Sequence, residues 1–130
     1  VPKIRDGCTH VYYMYPLLID FKSIGVAREI IYKALISEGV TGLMTNYQNI
    51  HLLPMYQKRI AYGSKGFPWS SEICKRYITY EKGICPVAEN YNDNSHLGFQ
   101  MCMSQMDFQE VDLMIEAFKK IWDNLDLLRS

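Results

Sequence analysis

The segment Asp107–Leu128, DFQEVDLMIEAFKKIWDNLDLL, is the clearest pattern in the chain and decides its fold. Asp107 followed three residues later by Glu110 matches a capping box, in which each side chain accepts the backbone N–H of the other residue. Apolar residues then recur at helical spacing and predict one buried stripe. The stripe comprises Val111, Met114, Ile115, Phe118, Ile121, Trp122, Leu125 and Leu128. We therefore expect a long helix from about Phe108 to Leu127.

Three shorter segments have the composition of strands. His10–Asp20 is rich in aromatic and β-branched residues, and Pro16 within it indicates an edge position or a bulge, because proline cannot donate to a strand ladder. Val40–Asn46 predicts a second short strand. Leu97–Met103 predicts a third, with Leu97, Phe99, Met101 and Met103 on one face. A small, mostly antiparallel sheet is expected from these segments.

Two further helices are predicted before the last strand. Ala27–Glu38 carries an apolar stripe of Ile30, Ile31, Ala34 and Leu35, and Gly39 follows where a left-handed cap would lie. Cys85–Tyr91 has Pro86 at the first helical position, and Asn92–Ser95 should end that helix. The segments between Tyr47 and Ile84 predict loops and irregular surface structure with about one helical turn. The fold class predicted is α+β: a two-layer single domain over residues 1–130, with a sheet packed against about three helices.

Composition narrows the classes of partner. The 130 residues are 48% hydrophobic and 22% charged, with 14 basic and 14 acidic side chains, as expected of a soluble globular domain. A net charge of zero argues against nucleic acid or an anionic membrane surface as the main partner. No apolar run approaches the roughly 18 to 20 residues that a membrane span needs.

The four cysteines are widely scattered. Cys8, Cys74, Cys85 and Cys102 form no Cys-x-x-Cys pair, and the three histidines are far apart in sequence, so no zinc site is predicted. We expect free, mostly buried thiols in a reducing cytoplasm, with a disulfide pair as the alternative.

Individual residues give only weak catalytic signals. Ser64-Lys65-Gly66 lacks the residue order of a phosphate-binding loop, so a solvated lysine is the favoured interpretation. Cys85 begins a predicted helix but has no histidine near it in sequence to act as a base, which favours a structural role. His10 and His96 have ordinary explanations at the ends of strands and turns, and no role is assigned to them.

His51 is the most interesting candidate. It lies between Tyr47 and Tyr56 in an aperiodic stretch, and apolar neighbours could hold the loop while the imidazole faces a ligand. The residues alone favour a hydrogen-bonded structural histidine over a ligand-binding one. Tyr47 and Tyr56 carry the same ambiguity.

The order of the motifs is more specific than any one of them. After the first strand and helix come Tyr47 and the stretch Ile50-His51-Leu52-Leu53-Pro54-Met55-Tyr56, then Cys85-Pro86-Val87-Ala88-Glu89, and then the last strand and helix. In this order, and over nearly the whole chain, they resemble the C-terminal small domain of the DegT/StrS family of pyridoxal-phosphate (PLP) sugar aminotransferases, which have fold type I.

The resemblance implies a function. Such an enzyme is cytoplasmic and usually dimeric, and moves an amino group from glutamate or glutamine to a keto sugar, often nucleotide-linked in cell-surface polysaccharide biosynthesis, or to a keto-cyclitol. The cofactor lysine and most PLP contacts would belong to a large N-terminal domain preceding Val1. This chain alone would then be inactive, with no cofactor bound. The resemblance places His51 on the substrate side, with Tyr47 and Tyr56 less directly, and it assigns no catalytic or metal-binding residue to this chain.

Two alternative functions stay open, and the sequence departs from the family's pattern at several positions. The chain could be a stand-alone interaction or ligand-binding module, or part of a PLP-dependent sugar dehydratase of the same family. Ala27 stands where the family usually has a helix-capping serine. The segment Lys65–Tyr80 is longer than in many members, which points to a cyclitol or unusual-sugar branch.

Overall fold

The computed structural model describes residues 3–103 and 105–129, which fall into two units. The first, here called the sheet unit, comprises Val1–Thr45 and Ser95–Ser130, and the second, the loop unit, comprises Asn46–Asn94. The strands are β1 (Tyr15–Leu18), β2 (Leu43–Met44) and β3 (His96–Phe99). The α-helices are α1 (Phe21–Ile24), α2 (Arg28–Ser37), α3 (Pro54–Gln57), α4 (Pro86–Asn90) and α5 (Phe108–Asp123). The predicted α+β class is confirmed, whereas a single domain over residues 1–130 stays a prediction.

The sheet has the order β1-β3-β2, and both pairings are antiparallel. Leu17 pairs with Leu97, and Leu43 pairs with Phe99. Because β1 is an edge strand, Pro16 can occupy it without breaking a central ladder. The edge position predicted from Pro16 is therefore confirmed.

All three strands are shorter than predicted. The central strand β3 has four residues and limits the length over which β1 can pair. It ends at Phe99: the N–H of Gln100 still donates to the carbonyl of Gly42, and the chain then turns into a 3₁₀ helix over Met101–Met103. The predicted alternation through Met103 is wrong beyond Phe99, and the Met103 side chain is 75% exposed.

The helices of the sheet unit follow local signals closely. At the start of α5, Asp107 accepts the N–H of Glu110 and Glu110 accepts the N–H of Asp107, both at 2.9 Å, so the predicted capping box is confirmed. Helix α2 is also confirmed, although Ala27 gives its N-terminus no side-chain hydrogen bond. Gly39 follows α2 with φ +90°, the left-handed conformation expected there.

The core of the sheet unit lies between the sheet and helices α2 and α5. Ile31, Leu35 and Leu97 are completely buried. The buried apolar residues are Phe21, Val26, Ile31, Leu35, Val40, Leu43, Leu97, Ala117 and Ile121. Two expectations are wrong: Ile115 is 46% exposed and Ile30 is 39% exposed. A three-stranded sheet covers only a narrow strip of each helix, and on α5 that strip is centred on Ala117 and Ile121.

Aromatic rings join β3 to α5. The ring of Phe118 lies 5.8 Å from that of Phe99 and 5.7 Å from that of Trp122, measured between centroids. These separations are typical of favourable aromatic pairs. The long C-terminal helix is thereby fixed against the central strand, as its apolar stripe predicts.

Gly98 is required by the ring beside it. A Cβ atom at this buried glycine would lie 2.8 Å from Nε2 of His96 and 3.1 Å from Sδ of Met14. The His96 ring therefore lies over the glycine. Its Nδ1 is buried and has no hydrogen-bond partner among the described residues.

The loop unit has little regular structure, as predicted. It contains a 3₁₀ turn at Ile50–Leu52, the short helices α3 and α4, and an isolated antiparallel bridge between Tyr62 and Phe67. Helix α4 begins at Pro86, as expected. Its predicted end at Asn92–Ser95 is wrong, because the chain continues in a π-helical turn over Tyr91–Ser95 before β3.

The cysteines differ from the prediction in one respect. All four are free, but all four are exposed rather than buried. The thiols are therefore not part of the apolar core. Among the described residues, none of the helices combines the length and the apolar character needed to span a membrane.

Candidate functional site

Two short proline-initiated segments bring the site together within the loop unit. The 3₁₀ turn Ile50–Leu52 leads into α3, which begins at Pro54, and α4 begins at Pro86. Proline suits the first helical position, because the N–H that it lacks has no partner there in any helix. The 3₁₀ turn before α3 carries His51 and helix α4 carries Glu89, 38 positions apart in sequence.

His51 and Glu89 form a close pair. Nε2 of His51 lies 2.9 Å from Oε1 of Glu89, and the two side chains are only 10% and 7% exposed. Histidine is therefore hydrogen-bonded, as the residues alone favoured. Its partner is the carboxylate of Glu89, on helix α4.

Backbone N–H groups hold the Glu89 carboxylate. Gly83 donates to both carboxylate oxygens at 2.8 Å, and Cys85 donates to Oε1 at 3.1 Å. Burial by itself would raise the pKa of Glu89, but the hydrogen bonds from Cys85 and Gly83, together with His51, outweigh it and hold the pKa below its ordinary value. Glu89 is thus a carboxylate anion at neutral pH.

Gln57 fixes the backbone beside His51. Its side-chain amide donates to the carbonyl oxygen of His51 at 2.8 Å and also to the carbonyl oxygen of Tyr80. The turn that carries the imidazole is therefore tied to a second part of the loop unit. Ring and backbone of His51 are each held by a separate side chain.

Tyr56 belongs to an aromatic cluster with Trp69 and Tyr80. Its ring lies 5.1 Å from that of Tyr80 and 6.0 Å from that of Trp69, and the indole N–H of Trp69 donates to the Tyr80 hydroxyl at 2.9 Å. Within the described residues, Tyr56 and His51 share no hydrogen bond or ring contact. The cluster packs the long segment that follows α3 against that helix.

Tyr47 lies at the beginning of the loop unit. Its backbone N–H donates to Oδ1 of Asn92 at 2.9 Å, and its side chain is 51% exposed. The structure thus separates the three candidates. His51 belongs to the pair with Glu89, Tyr56 to the aromatic cluster, and Tyr47 to the surface.

The weaker candidates have ordinary surroundings. Lys65 is exposed, and its carbonyl accepts a hydrogen bond from the Ser70 hydroxyl. Cys85 is exposed at the N-cap of α4. The ring of His10 stacks on Tyr12 with centroids 3.8 Å apart. The surroundings of Lys65 and His10 support their ordinary interpretations. The thiol of Cys85 makes no cap hydrogen bond, and the residue contributes through its backbone N–H, which donates to Glu89.

The described residues contain neither a buried lysine nor a cluster of metal ligands. PLP enzymes hold their cofactor through a lysine that is commonly desolvated, and every lysine of this chain is exposed. Lys82 has its pKa raised by the hydrogen bond to Asp93, which favours the charged amine. Nor do the described residues contain a cluster of three or more histidine, cysteine or acidic side chains that could hold a metal ion.

Sequence reasoning missed two residues of the site, Glu89 and Gln57. A glutamate in the first turn of a helix that begins at Pro86 is a recognisable local signal, because such a side chain can reach back to free N–H groups. Glu89 does so at Gly83 and Cys85. The contact to His51 depends on the tertiary fold and has no local signal.

Comparison with known proteins agrees with the arrangement of motifs. The chain is 31% identical over 78 residues to the spore coat polysaccharide biosynthesis protein SpsC of Bacillus subtilis (strain 168). The match covers 60% of this chain and 20% of that protein, so the chain spans about a fifth of the relative's length. No solved structure matches the chain significantly.

The family model described as the DegT/DnrJ/EryC1/StrS aminotransferase family matches residues 1–111. This match includes both proline-initiated segments and the paired side chains of His51 and Glu89. The resemblance seen in the sequence is confirmed: the chain belongs to the DegT/DnrJ/EryC1/StrS aminotransferase family.

Proposed function

We propose that this chain forms the substrate side of the active site of a PLP-dependent aminotransferase. The enzyme would transfer an amino group from glutamate or glutamine to a keto sugar, often nucleotide-linked, or to a keto-cyclitol. The observation that carries the proposal is the His51–Glu89 pair, because it joins two family-like motifs through a nearly buried hydrogen bond of 2.9 Å. A rigidly held imidazole is suited to bind a polar substrate group.

The chain's own residues would bind and orient the substrate. The imidazole of His51 can hydrogen-bond to a hydroxyl group of the sugar, and the half-exposed Tyr47 offers a phenol in the same unit. Tyr56 stays a candidate, and its contacts with Trp69 and Tyr80 support a role in holding the segment. When bound, PLP supplies the electron sink that amino transfer needs. Its lysine would lie in a large N-terminal domain of the parent protein.

The matched relative indicates where the product would go. Its printed name refers to spore coat polysaccharide biosynthesis. We extend this to an amino sugar for a cell-surface polysaccharide made by a cytoplasmic, dimeric parent enzyme. The longer insertion around Trp69 fits an acceptor that differs from those of shorter members.

The decisive experiment uses the protein encoded by the complete reading frame that contains this chain. Glutamate serves as amino donor, and a nucleoside-diphosphate keto sugar and a keto-cyclitol are tested as acceptors. His51→Ala should raise KM for the acceptor about fivefold to tenfold, the effect of losing one hydrogen bond. His10→Ala is the matched control, because His10 only stacks on Tyr12, and it should leave KM unchanged.

An unchanged acceptor KM in His51→Ala would contradict the proposed role of that residue. Dehydration of the sugar without transfer of nitrogen would identify the dehydratase alternative. The 130-residue chain by itself should show no transamination and no visible absorption change on addition of PLP. Transamination by this chain alone would contradict the proposal that the cofactor lysine lies in another domain.

A further inference from the structure

Glu89 determines which nitrogen of His51 carries a proton in their hydrogen bond. Its carboxylate already accepts N–H groups from Gly83 and Cys85, and Oε1 lies 2.9 Å from Nε2 of His51. The N–H donors and His51 hold the pKa of Glu89 low despite the opposing effect of burial, so the carboxylate has no proton to offer at neutral pH. Nε2 of His51 is therefore the donor.

The other ring nitrogen of His51 is left available. In a neutral imidazole that is protonated at Nε2, Nδ1 has a lone pair and acts as an acceptor. Nδ1 of His51 has no hydrogen bond within the described residues. The atom is not completely buried, so it keeps access to solvent. The ring thus has one anchored nitrogen and one open nitrogen.

The carboxylate of Glu89 cannot rotate freely. Rotation of the Glu89 carboxylate would break hydrogen bonds of 2.8 Å from Gly83 and 3.1 Å from Cys85. On the other side, Gln57 holds the carbonyl of His51. The orientation of the imidazole is consequently fixed from two directions, a property that a histidine paired only with solvent would lack.

We propose that Glu89 is a positioning residue that holds His51 in the Nε2–H tautomer and presents Nδ1 as a hydrogen-bond acceptor for a hydroxyl group of the sugar or cyclitol substrate. This inference rests on the proposed function for its substrate, but its structural part does not. While the imidazole is neutral, this lone pair can accept the O–H of a hydroxyl group, whereas a phosphate, which only accepts, has no proton to offer it. In that state of the ring, His51 recognises the polyol part of the substrate.

The tautomer can be measured directly in the 130-residue chain. Nitrogen-15 NMR of the imidazole side chains, at a pH where the ring is neutral, distinguishes a protonated from an unprotonated ring nitrogen, and His51→Gln assigns the signal by its loss. We expect Nε2 to carry the proton and Nδ1 to be bare. A dominant Nδ1–H tautomer in the wild-type chain would overturn the inference, and His51→Gln serves only to assign the signal.

Variants at Glu89 then test the cause. In Glu89→Gln the side chain can present either its oxygen or its amide N–H to the ring, so both tautomers should become populated. Glu89→Asp keeps the negative charge on a shorter side chain. It should restore the Nε2–H tautomer only in the fraction of molecules in which the aspartate carboxylate reaches His51. Glu72→Gln, at an exposed glutamate of the same unit, is the matched control and should change nothing. A tautomer unchanged by Glu89→Gln would refute positioning by Glu89.

A double-mutant cycle in the complete enzyme separates this inference from the proposed function. With the nucleoside-diphosphate keto sugar as probe, Glu89→Gln should raise the acceptor KM several-fold, and it should have no further effect once His51 is alanine. If His51→Ala raises KM but Glu89→Gln adds to it independently, the positioning role fails and the proposed function stands. If the tautomer is as expected but His51→Ala leaves KM unchanged, the proposed function fails and the substrate part of the inference fails with it.

Discussion

The two units of the chain are stabilised by different interactions. Among its described residues, the sheet unit buries nine apolar side chains between its strands and helices. In the loop unit, where every residue from 46 to 94 is described, the one residue classed as buried is Glu89, a carboxylate. Charged groups are almost never buried without partners, and Glu89 has three. Burial of apolar surface is non-directional, whereas these hydrogen bonds define the positions of individual atoms.

The difference explains why the candidate site lies in the loop unit. Large apolar side chains there remain on the surface, including Ile73 at 87% exposure and Tyr77 at 79%. The unit is held instead by the Glu89 hydrogen bonds, the aromatic cluster around Tyr56, and Arg59, which lies 4.3 Å above the Tyr77 ring. A polar network of this kind positions a side chain such as His51 more sharply than loose apolar contacts would.

The largest effect is expected in the core of the sheet unit. Leu35→Ala removes a completely buried side chain and should lower the free energy of unfolding by about 2–5 kcal/mol. The measurement is denaturant-induced unfolding followed by circular dichroism. Ile36→Ala on the same helix is the matched control, because Ile36 is 43% exposed, and it should change stability by about 0.5 kcal/mol or less. Equal effects at both positions would show that the unit does not depend on this core.

Acid should act on the loop unit through Glu89. The pKa of its carboxyl is lowered from the ordinary value of 4.5 in the folded state. Above 4.5 the carboxyl is ionised in both states; as the pH falls below 4.5, the unfolded state takes up a proton first and stability declines until the folded carboxyl is protonated. The free energy of unfolding, measured across this pH range, should depend less on pH in Glu89→Gln than in the wild type. Glu72→Gln should keep the pH dependence of the wild type. The same pH dependence in Glu89→Gln would contradict the prediction.

The sheet unit should respond at higher pH through His96. Burial lowers the pKa of this ring from its ordinary value of 6.5; a backbone contact with Thr45 opposes the change, and the positive charge of Arg28 adds to it. As the pH falls below 6.5, the unfolded state binds a proton that the folded ring does not, so stability falls until the folded ring is protonated as well. His96→Gln should remove this dependence from thermal unfolding measured as a function of pH, and His10→Gln should not. A pH dependence that survives in His96→Gln would assign it to another group.

A smaller effect is expected at the capping box of α5. Asp107→Ala removes the acceptor of the Glu110 N–H and should cost about 1 kcal/mol of stability. Asp112→Ala, on the exposed side of the same helix, controls for the loss of charge and should stay within about 0.5 kcal/mol of the wild type. Chemical denaturation of the two variants gives the comparison. Similar losses in both would mean that helix charge, rather than the cap, is responsible.

Local signals made helices α2, α4 and α5 predictable. The capping box at Asp107, the cap at Gly39 and the proline at position 86 each act within a few residues, so the sequence contains the whole interaction. The lengths of the strands were not predictable, because pairing depends on partners elsewhere. The composition of His10–Asp20 favours an extended conformation along its whole length, yet only Tyr15–Leu18 finds the four residues of β3 to pair with.

The candidate site likewise combines residues that local patterns indicate with residues that depend on distant contacts. His51 can be selected from its apolar neighbours and from the family resemblance, whereas the sequence indicates no role for Glu89 beyond its place in the motif Cys85-Pro86-Val87-Ala88-Glu89. Exposure of the cysteines was also outside the reach of local patterns, because burial depends on the number of helix and sheet faces that meet. The part of a site that lies within one short segment can be predicted, and its partner across the fold cannot.

The sequence by itself determined the fold class, the long terminal helix and the family, because each depends on periodicity or on the order of short motifs; for Pro16 it left an edge position or a bulge open. Tertiary structure decided the narrow strip of α5 that is buried, the end of β3 at Phe99, and the pairing of His51 with Glu89. These features depend on contacts between residues that are far apart along the chain, whose geometry follows only when all elements pack at once. The nitrogen of His51 that is open to a ligand is therefore decided by a glutamate 38 residues away.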